Sequence, residues 1–210
     1  AVRARLLASH RVFNCVMNAL AGVSPDKVIA EGFDSTTPIC LWHEGAAGYN
    51  IYLEILGGGY GAGSTTDGAD GVDCPLSNCA NIPIEALEMD YPFLRIESYA
   101  LRPGTGGRGR HRGGLGFERS YRVLDDNVAF ATYSDRFFIP PRGLQGGEPG
   151  AVCSMHVERQ GACIPLSSRA SCALERGDLL VIRTGGGAGF GPPDQRDPDH
   201  QAADRVQGLI

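Results

Sequence analysis

Thirty of the 210 residues are glycine, about twice the usual share of roughly 7%. They concentrate in patches at 57–63, 104–116, 143–150 and 185–191. Glycine has no Cβ and reaches backbone angles closed to other residues, so such patches read as tight turns and backbone-lined cavities. They have no collagen-like period and alternate with apolar, strand-like runs, which argues against flexible low-complexity linker. Any fold for this chain has to find a use for long stretches of backbone without side chains.

The remaining sequence points to an α+β domain that is predominantly β-sheet, with glycine-rich connecting loops and a few helices. With 42% apolar and 20% charged residues, residues 1–210 read as one domain. Val2, Leu6, His10, Phe13, Met17 and Leu20 step by three or four, which places them on one face of a helix over 3–21, ended by Gly22 and Pro25. His10 on that stripe reads as a packed core residue. Runs at 28–33, 38–43, 49–56, 93–101, 115–124, 127–134, 151–158 and 178–184 read as strands, rich in β-branched and aromatic residues. Asp125-Asp126 suits a hairpin turn between two of them. Pro83 opens a short helix over 83–90 that Tyr91-Pro92 stops. The polar segment 192–210 reads as a loop or frayed tail, the loop being followed either by a poorly supported helix or by a frayed end.

Composition also narrows the function classes. A formal charge of -5 supplies no broad electrostatic footprint for nucleic acid, despite a local cluster of Arg108, Arg110, His111 and Arg112. Lys27 is the one lysine and lies outside any glycine loop, so Schiff-base catalysis has no good candidate. Seven cysteines with no CxxC spacing suit reduced thiols and a cytoplasmic setting. No run of about 18 uncharged apolar residues is present to span a membrane, and no leader opens the chain. The chain begins without Met and in mid-pattern, as a piece of a longer protein does.

Several motifs could carry chemistry. In Gly57-Gly58-Gly59-Tyr60-Gly61, after an apolar strand, successive N–H groups at Gly58 and Gly59 could cradle an anion, with turn geometry as the alternative. The motif lacks the Gly-Lys-Ser/Thr ending of a P-loop and the apolar helix start of a dinucleotide fingerprint. Gly185 to Gly191 repeats the design. Asp67, Asp70 and Asp73 lack the spacing of a calcium loop and suit Asx turns with Gly68 and Gly71.

Asn78, Asn81, Glu85 and Glu88 combine amides with two acids spaced i, i+3 on one helix face. One acid could serve as general base if that face lines a cleft. Otherwise Asn81 caps the helix and the acids complement its N-terminal charge. Arg112, among glycines with Arg108, Arg110 and His111, has the chemistry for bidentate binding of carboxylate or phosphate. Asp135-Arg136 and Arg142 suit ion pairing, and no G-x-S-x-G signature is present.

Gly57 to Ala62, Asp67-Gly68, the ladder Asn78 to Glu88, Tyr91-Pro92, Gly106 to Gly116, Pro141-Arg142-Gly143-Leu144 and Gly185 to Gly191 occur in an order that resembles the hydantoinase B/5-oxoprolinase family. The resemblance implies part of an ATP-dependent cyclic-amide hydrolase that works with an A-type subunit or domain binding ATP, in a hetero-oligomer. It further implies that Glu85 and Glu88 serve as acid/base or supporting groups, and that Gly58, Gly59, Asp67, Asn78, Asn81 and Arg112 contact a small cyclic amide. The family's divalent metal is expected from a region upstream of this chain, with none bound by this segment. Two alternatives remain open: a non-catalytic assembly domain docking the ATP-binding partner, and a subunit of an ATP-dependent ketone carboxylase.

Overall fold

A computed structural model describes residues 5–45, 48–77 and 79–210. Among these residues the chain forms a mostly β, α+β fold of two antiparallel sheets. The first sheet has the order β2-β1-β5-β8 and comprises β1 (Thr37–Gly45), β2 (Gly48–Leu56), β5 (Val128–Tyr133) and β8 (Arg169–Leu174). The second has the order β3-β4-β9-β6-β7, from β3 (Leu94–Leu101), β4 (Phe117–Val123), β6 (Ser154–Arg159), β7 (Ala162–Leu166) and β9 (Leu179–Arg183).

Period-two patterning builds the core. Ile39 and Leu41 of β1, Tyr52 and Leu56 of β2 and Phe130 of β5 turn inward, and they meet Leu94, Tyr121, Met155, Leu180 and Ile182 of the second sheet in one cluster. Alternate residues facing inward from both sheets define a sandwich. An ion pair lies within it. Arg119 of β4 is fully buried, its Nη1 lies 3.1 Å from Glu54 Oε1, and its guanidinium stacks 4.6 Å above the Tyr99 ring. Tyr52 and Tyr121 both donate to Glu54 Oε2.

The expected strands 38–43, 49–56, 93–101, 115–124, 127–134, 151–158 and 178–184 correspond to β1, β2, β3, β4, β5, β6 and β9. Residues 28–33 form no strand beyond one isolated bridge, Ile29 to Gly63. The Asp125-Asp126 turn is not a hairpin, because β4 and β5 belong to different sheets and the turn carries the chain from one to the other. Helix α1 (Arg5–Leu20) and helix α2 (Ile84–Asp90) fall where expected. Their details differ. On α1 the most buried side chains are the polar His10 and Asn14, while Leu20 is exposed. On α2 the side chain of Asn81 does not cap the helix; its Oδ1 accepts from Tyr99 Oη at 2.6 Å. Of the two outcomes expected for segment 192–210, the chain takes the helix: after a 3₁₀ turn it forms α3 (Pro198–Val206), whose Asp204 is buried.

The glycine patches form a second core, made of backbone. Segment 185–191 runs extended through its centre and hydrogen-bonds four other segments: Gly59 and Ala62 donate to Gly185 and Ala188 carbonyls, Ala188 donates to Glu31, Gly107 donates to Gly187 while Gly187 donates to Gly114, and Gly189 donates to Glu148. A strand within a sheet has two hydrogen-bonded neighbours about 4.8 Å away and a layer of side chains about 10 Å thick above it. Here the chains approach closely on every side because no side chain separates them. A Cβ at Gly187 would lie 1.9 Å from the Tyr60 carbonyl oxygen, and one at Gly61 would lie 1.8 Å from that of Ala30. Neither glycine has positive φ. The missing Cβ, rather than turn geometry, is what these positions require.

Candidate functional site

Where α1 crosses the 134–142 segment that follows β5, the surface opens into a cleft of about 680 Å³. Its polar wall comes from α1, from Glu31 and from Asp135, Arg136 and Arg142, and its apolar wall from Phe137, Phe138 and Ile139. Arg11, Asn14 and Asn18 are spaced three and four apart, so one side of α1 presents all three. Glu31, set by the backbone bond of Ala188 to its carbonyl, is the anchor of this wall. Its Oε1 accepts from Asn18 Nδ2 at 2.8 Å and Arg142 Nε at 3.4 Å, and its Oε2 from Arg136 Nη2 at 2.8 Å and the Arg142 N–H at 3.1 Å. Burial would raise the Glu31 carboxyl, but the bonds from Asn18, Arg142 and Arg136 outweigh it and hold it below its ordinary range.

Behind Asn14 lies Asp34, 3% exposed and in the left-handed backbone region with φ of 43°. A buried non-glycine residue in this region costs of order 1 kcal/mol and persists only where its surroundings over-determine it. The carboxylate accepts from the Gly32 N–H at 2.8 Å, and its main-chain carbonyl accepts from Arg11. Oriented to satisfy its neighbours, the Asn14 amide donates to Asp34 Oδ2 at 2.9 Å and accepts from Arg136 Nη2 at 2.9 Å. Burial pushes the Asp34 carboxyl up to about 6, against the pull of the Gly32 N–H, Arg11 and Arg136. Perturbed carboxyls beside a cleft cluster at functional sites.

A second charged cluster fastens α3 to the glycine core. Arg112 pairs with Asp70 at 2.7 Å and Asp204 at 3.2 Å, while Arg196 pairs with Asp67 at 2.8 Å and Asp204 at 2.6 Å. Burial raises the Asp67 carboxyl, but Arg196 and the Arg112 N–H overcome it and hold it low. Asp67 and Asp70 therefore serve arginines rather than Asx turns.

Of the residues that the sequence singles out, the structure brings Asp67 and Arg112 together in this clasp, where their polar atoms are taken. The Gly58 and Gly59 N–H groups donate to Val72 and Gly185 carbonyls, which leaves no anion cradle there. Glu85 is exposed on α2, and Glu88 accepts from the Ile96 N–H at 3.0 Å beside a bulge in β3. Asn81 holds Tyr99, and Asn78 lies outside the described residues. None of these residues lines the cleft. Its own residues, Arg11, Asn14, Asn18 and Glu31, have one readable signal, the polar i, i+3, i+7 stripe on α1. The divalent metal implied by the resemblance has no ligand set among the described residues. No described helix is long and apolar enough to cross a membrane.

A two-sheet domain joined to a backbone-packed glycine core, with a charged cleft at their junction, defines the class of α+β protein to which this chain belongs. A family described as hydantoinase B/oxoprolinase matches residues 1–193, and the chain is a member of it. The chain is 30% identical over 210 residues to the B-type subunit of a putative D-/L-hydantoinase from Pseudomonas sp. strain NS671, covering 99% of this chain and 35% of that protein. It is 36% identical over 141 residues to 5-oxoprolinase 1 of Arabidopsis thaliana, covering 67% of this chain and 11% of that one. The ATP-dependent caprolactamase of Pseudomonas jessenii has the same fold, with a TM-score of 0.78 at 22% identity over 92% of this chain and 35% of its own. The chain thus spans about a third of the length of its hydantoinase relative.

Proposed function

We propose that this chain is a portion of an ATP-dependent enzyme that opens cyclic amides, acting with an A-type subunit or domain that binds ATP. The observation that carries this reading is the family match over residues 1–193, supported by relatives named for hydantoin and 5-oxoproline chemistry. The contribution of this portion is a rigid platform. The glycine core fixes Glu31, Glu31 fixes Arg136 and Arg142, and the cleft they border holds its donors in place without further ordering, the condition for a site that orients a substrate.

The test is a turnover assay on the longer protein that contains this portion, co-expressed with an A-type subunit and given 5-oxoproline, hydantoin or caprolactam with and without ATP. Ring opening coupled to ATP consumption on at least one of the three is expected. Failure on all three, with assembly intact, overturns the reading. Bicarbonate-dependent consumption of a ketone in the same preparation would replace it with carboxylation, and assembly without any turnover would leave a docking domain.

A further inference from the structure

We infer that the cleft between α1 and the 134–142 segment is a binding site for a small carboxylate carried on a compact apolar body. Its volume of about 680 Å³ falls within the range of small-molecule sites, which are largely apolar with a few fixed polar groups. The two walls supply both halves. Phe138 and Ile139, consecutive and 84% and 71% exposed, stand out of the core beside the opening, where an apolar ligand would cover them. Arg142 lines the same cleft, and its side chain is 67% exposed. Its Nε and main-chain N–H are held by Glu31, while its two Nη groups take no partner among the described residues.

A guanidinium fixed at Nε with its Nη edge open is prepared for a carboxylate, because the planar fork matches two oxygens and is already oriented. Arg11 lines the same cleft and adds a second positive charge, with its Nε 3.8 Å from Asp135 Oδ2. The carboxylates nearby do not satisfy the open Nη edge of Arg142. Both oxygens of Glu31 are occupied, and Asp34 lies behind Asn14, engaged with Gly32. Three guanidiniums, Arg11, Arg136 and Arg142, therefore face two lining carboxylates, Glu31 and Asp135.

This inference stands apart from the ring-opening reading, and its test does not use turnover. The chain is titrated by calorimetry with matched pairs that differ only in charge: cyclohexanecarboxylate against cyclohexanecarboxamide, then 5-oxoproline against 2-pyrrolidone. Each acid is expected to bind at least about tenfold more tightly than its neutral partner, as a charge-assisted bidentate contact provides. Arg142→Ala should remove that selectivity while leaving the weak binding of the neutral ligand, Arg142→Lys should retain part of it, and Phe138→Ala should weaken both members of a pair alike. Unchanged melting temperatures confirm that the variants fold. Equal binding of acid and amide, selectivity that survives Arg142→Ala, or no binding of either acid at about 10 mM would overturn the assignment. Loss of ring opening with selectivity retained would instead count against the proposed reaction alone.

Discussion

The sheet sandwich and the glycine core bury chain by opposite means. Between the sheets, spacing is set by side chains such as Tyr52, Phe130 and Leu180, which interdigitate from the two inner faces. In the glycine core, spacing is set by the backbone itself, with carbonyl oxygens of Tyr60, Gly114 and Thr105 occupying the places where Cβ atoms would project from Gly187, Gly59 and Gly186. A side-chain core can exchange one shape for another of similar volume. A backbone core has nothing to exchange, so it should tolerate substitution far less while holding its neighbours more rigidly.

The sharpest way to break this comparison is to make the smallest change in each region. Gly187→Ala adds one methyl where the Tyr60 oxygen lies 1.9 Å away and backbone surrounds it. It is expected to cost more than about 4 kcal/mol, in the exceptional range for a single substitution. Leu180→Met, at a fully buried sandwich position, should cost under about 1.5 kcal/mol because volume is conserved. Urea midpoints of the two variants measure both. Similar costs would mean that the glycine core can relax and that its close approaches do not determine its stability.

The clasp that ties α3 to the glycine core is the next largest expectation. Arg112→Ala leaves Asp70 without its bidentate partner and removes one of the two arginines on Asp204. Breaking a buried pair by deleting one member costs about 3–5 kcal/mol. Hydrogen exchange should show residues 198–206 losing protection first. If those amides kept their protection while the rest of the domain was destabilised, α3 would be held by something other than this cluster.

The difference between the regions also explains what is legible in the sequence. Strands β1, β2, β4 and β5 alternate buried and more exposed residues over much of their length, and that alternation is written in the chain. Strand β7 is exposed at four of its five positions and carries no buried stripe to read, while the inward stripe of β8, Ala170, Cys172 and Leu174, is short, built of small residues at its first two positions and fully buried only at Leu174. The glycine patches are conspicuous, but glycine required for close approach looks the same in sequence as glycine required for turning. Only the tertiary neighbour distinguishes them. Asp67 and Arg112 stand out by motif, yet Arg196 and Asp204, which give them their role, lie 129 and 92 positions away. The cleft escapes the sequence because the apolar positions of α1 dominate its pattern, whereas His10 and Asn14 are its most buried ones.

Asp34 sharpens the comparison through pH, since it sits where the glycine core meets α1. Its folded-state carboxyl is raised from 3.8 to about 6, first by burial. Between those values the folded protein keeps a proton that the unfolded chain releases. The contribution of Asp34 is therefore fully present below pH 3.8 and is lost as pH rises through 6. Glu31 and Asp67, held low, act in the opposite sense and lose their contribution as pH falls. Asp34→Asn removes the first term and leaves the others. The stability difference between wild type and this variant should shift by about 3 kcal/mol between about pH 4 and pH 7, from a displacement of about two units. A constant difference would place the Asp34 carboxylate in an environment far better solvated than the structure gives it.

The smallest effect belongs to a glycine that is used for turning. Gly161 joins β6 to β7 with φ of 81°, after Gln160 with φ of 49°, and a Cβ there would meet nothing within 4 Å. Two consecutive positive φ values are the mark of the tight turns whose twist matches a hairpin. Alanine at 161 pays only the left-handed backbone penalty, about 1 kcal/mol, and Gly161→Asn should cost less, because asparagine visits that region readily. Set beside Gly187→Ala, the same added methyl then separates two uses of one residue: conformational at 161, where strain is local and partly relieved by choosing another side chain, and steric at 187, where no side chain of any kind has room. Equal penalties for Gly161→Ala and Gly187→Ala in urea unfolding would erase that distinction. A Gly187→Asn variant as mild as Gly161→Asn would do the same.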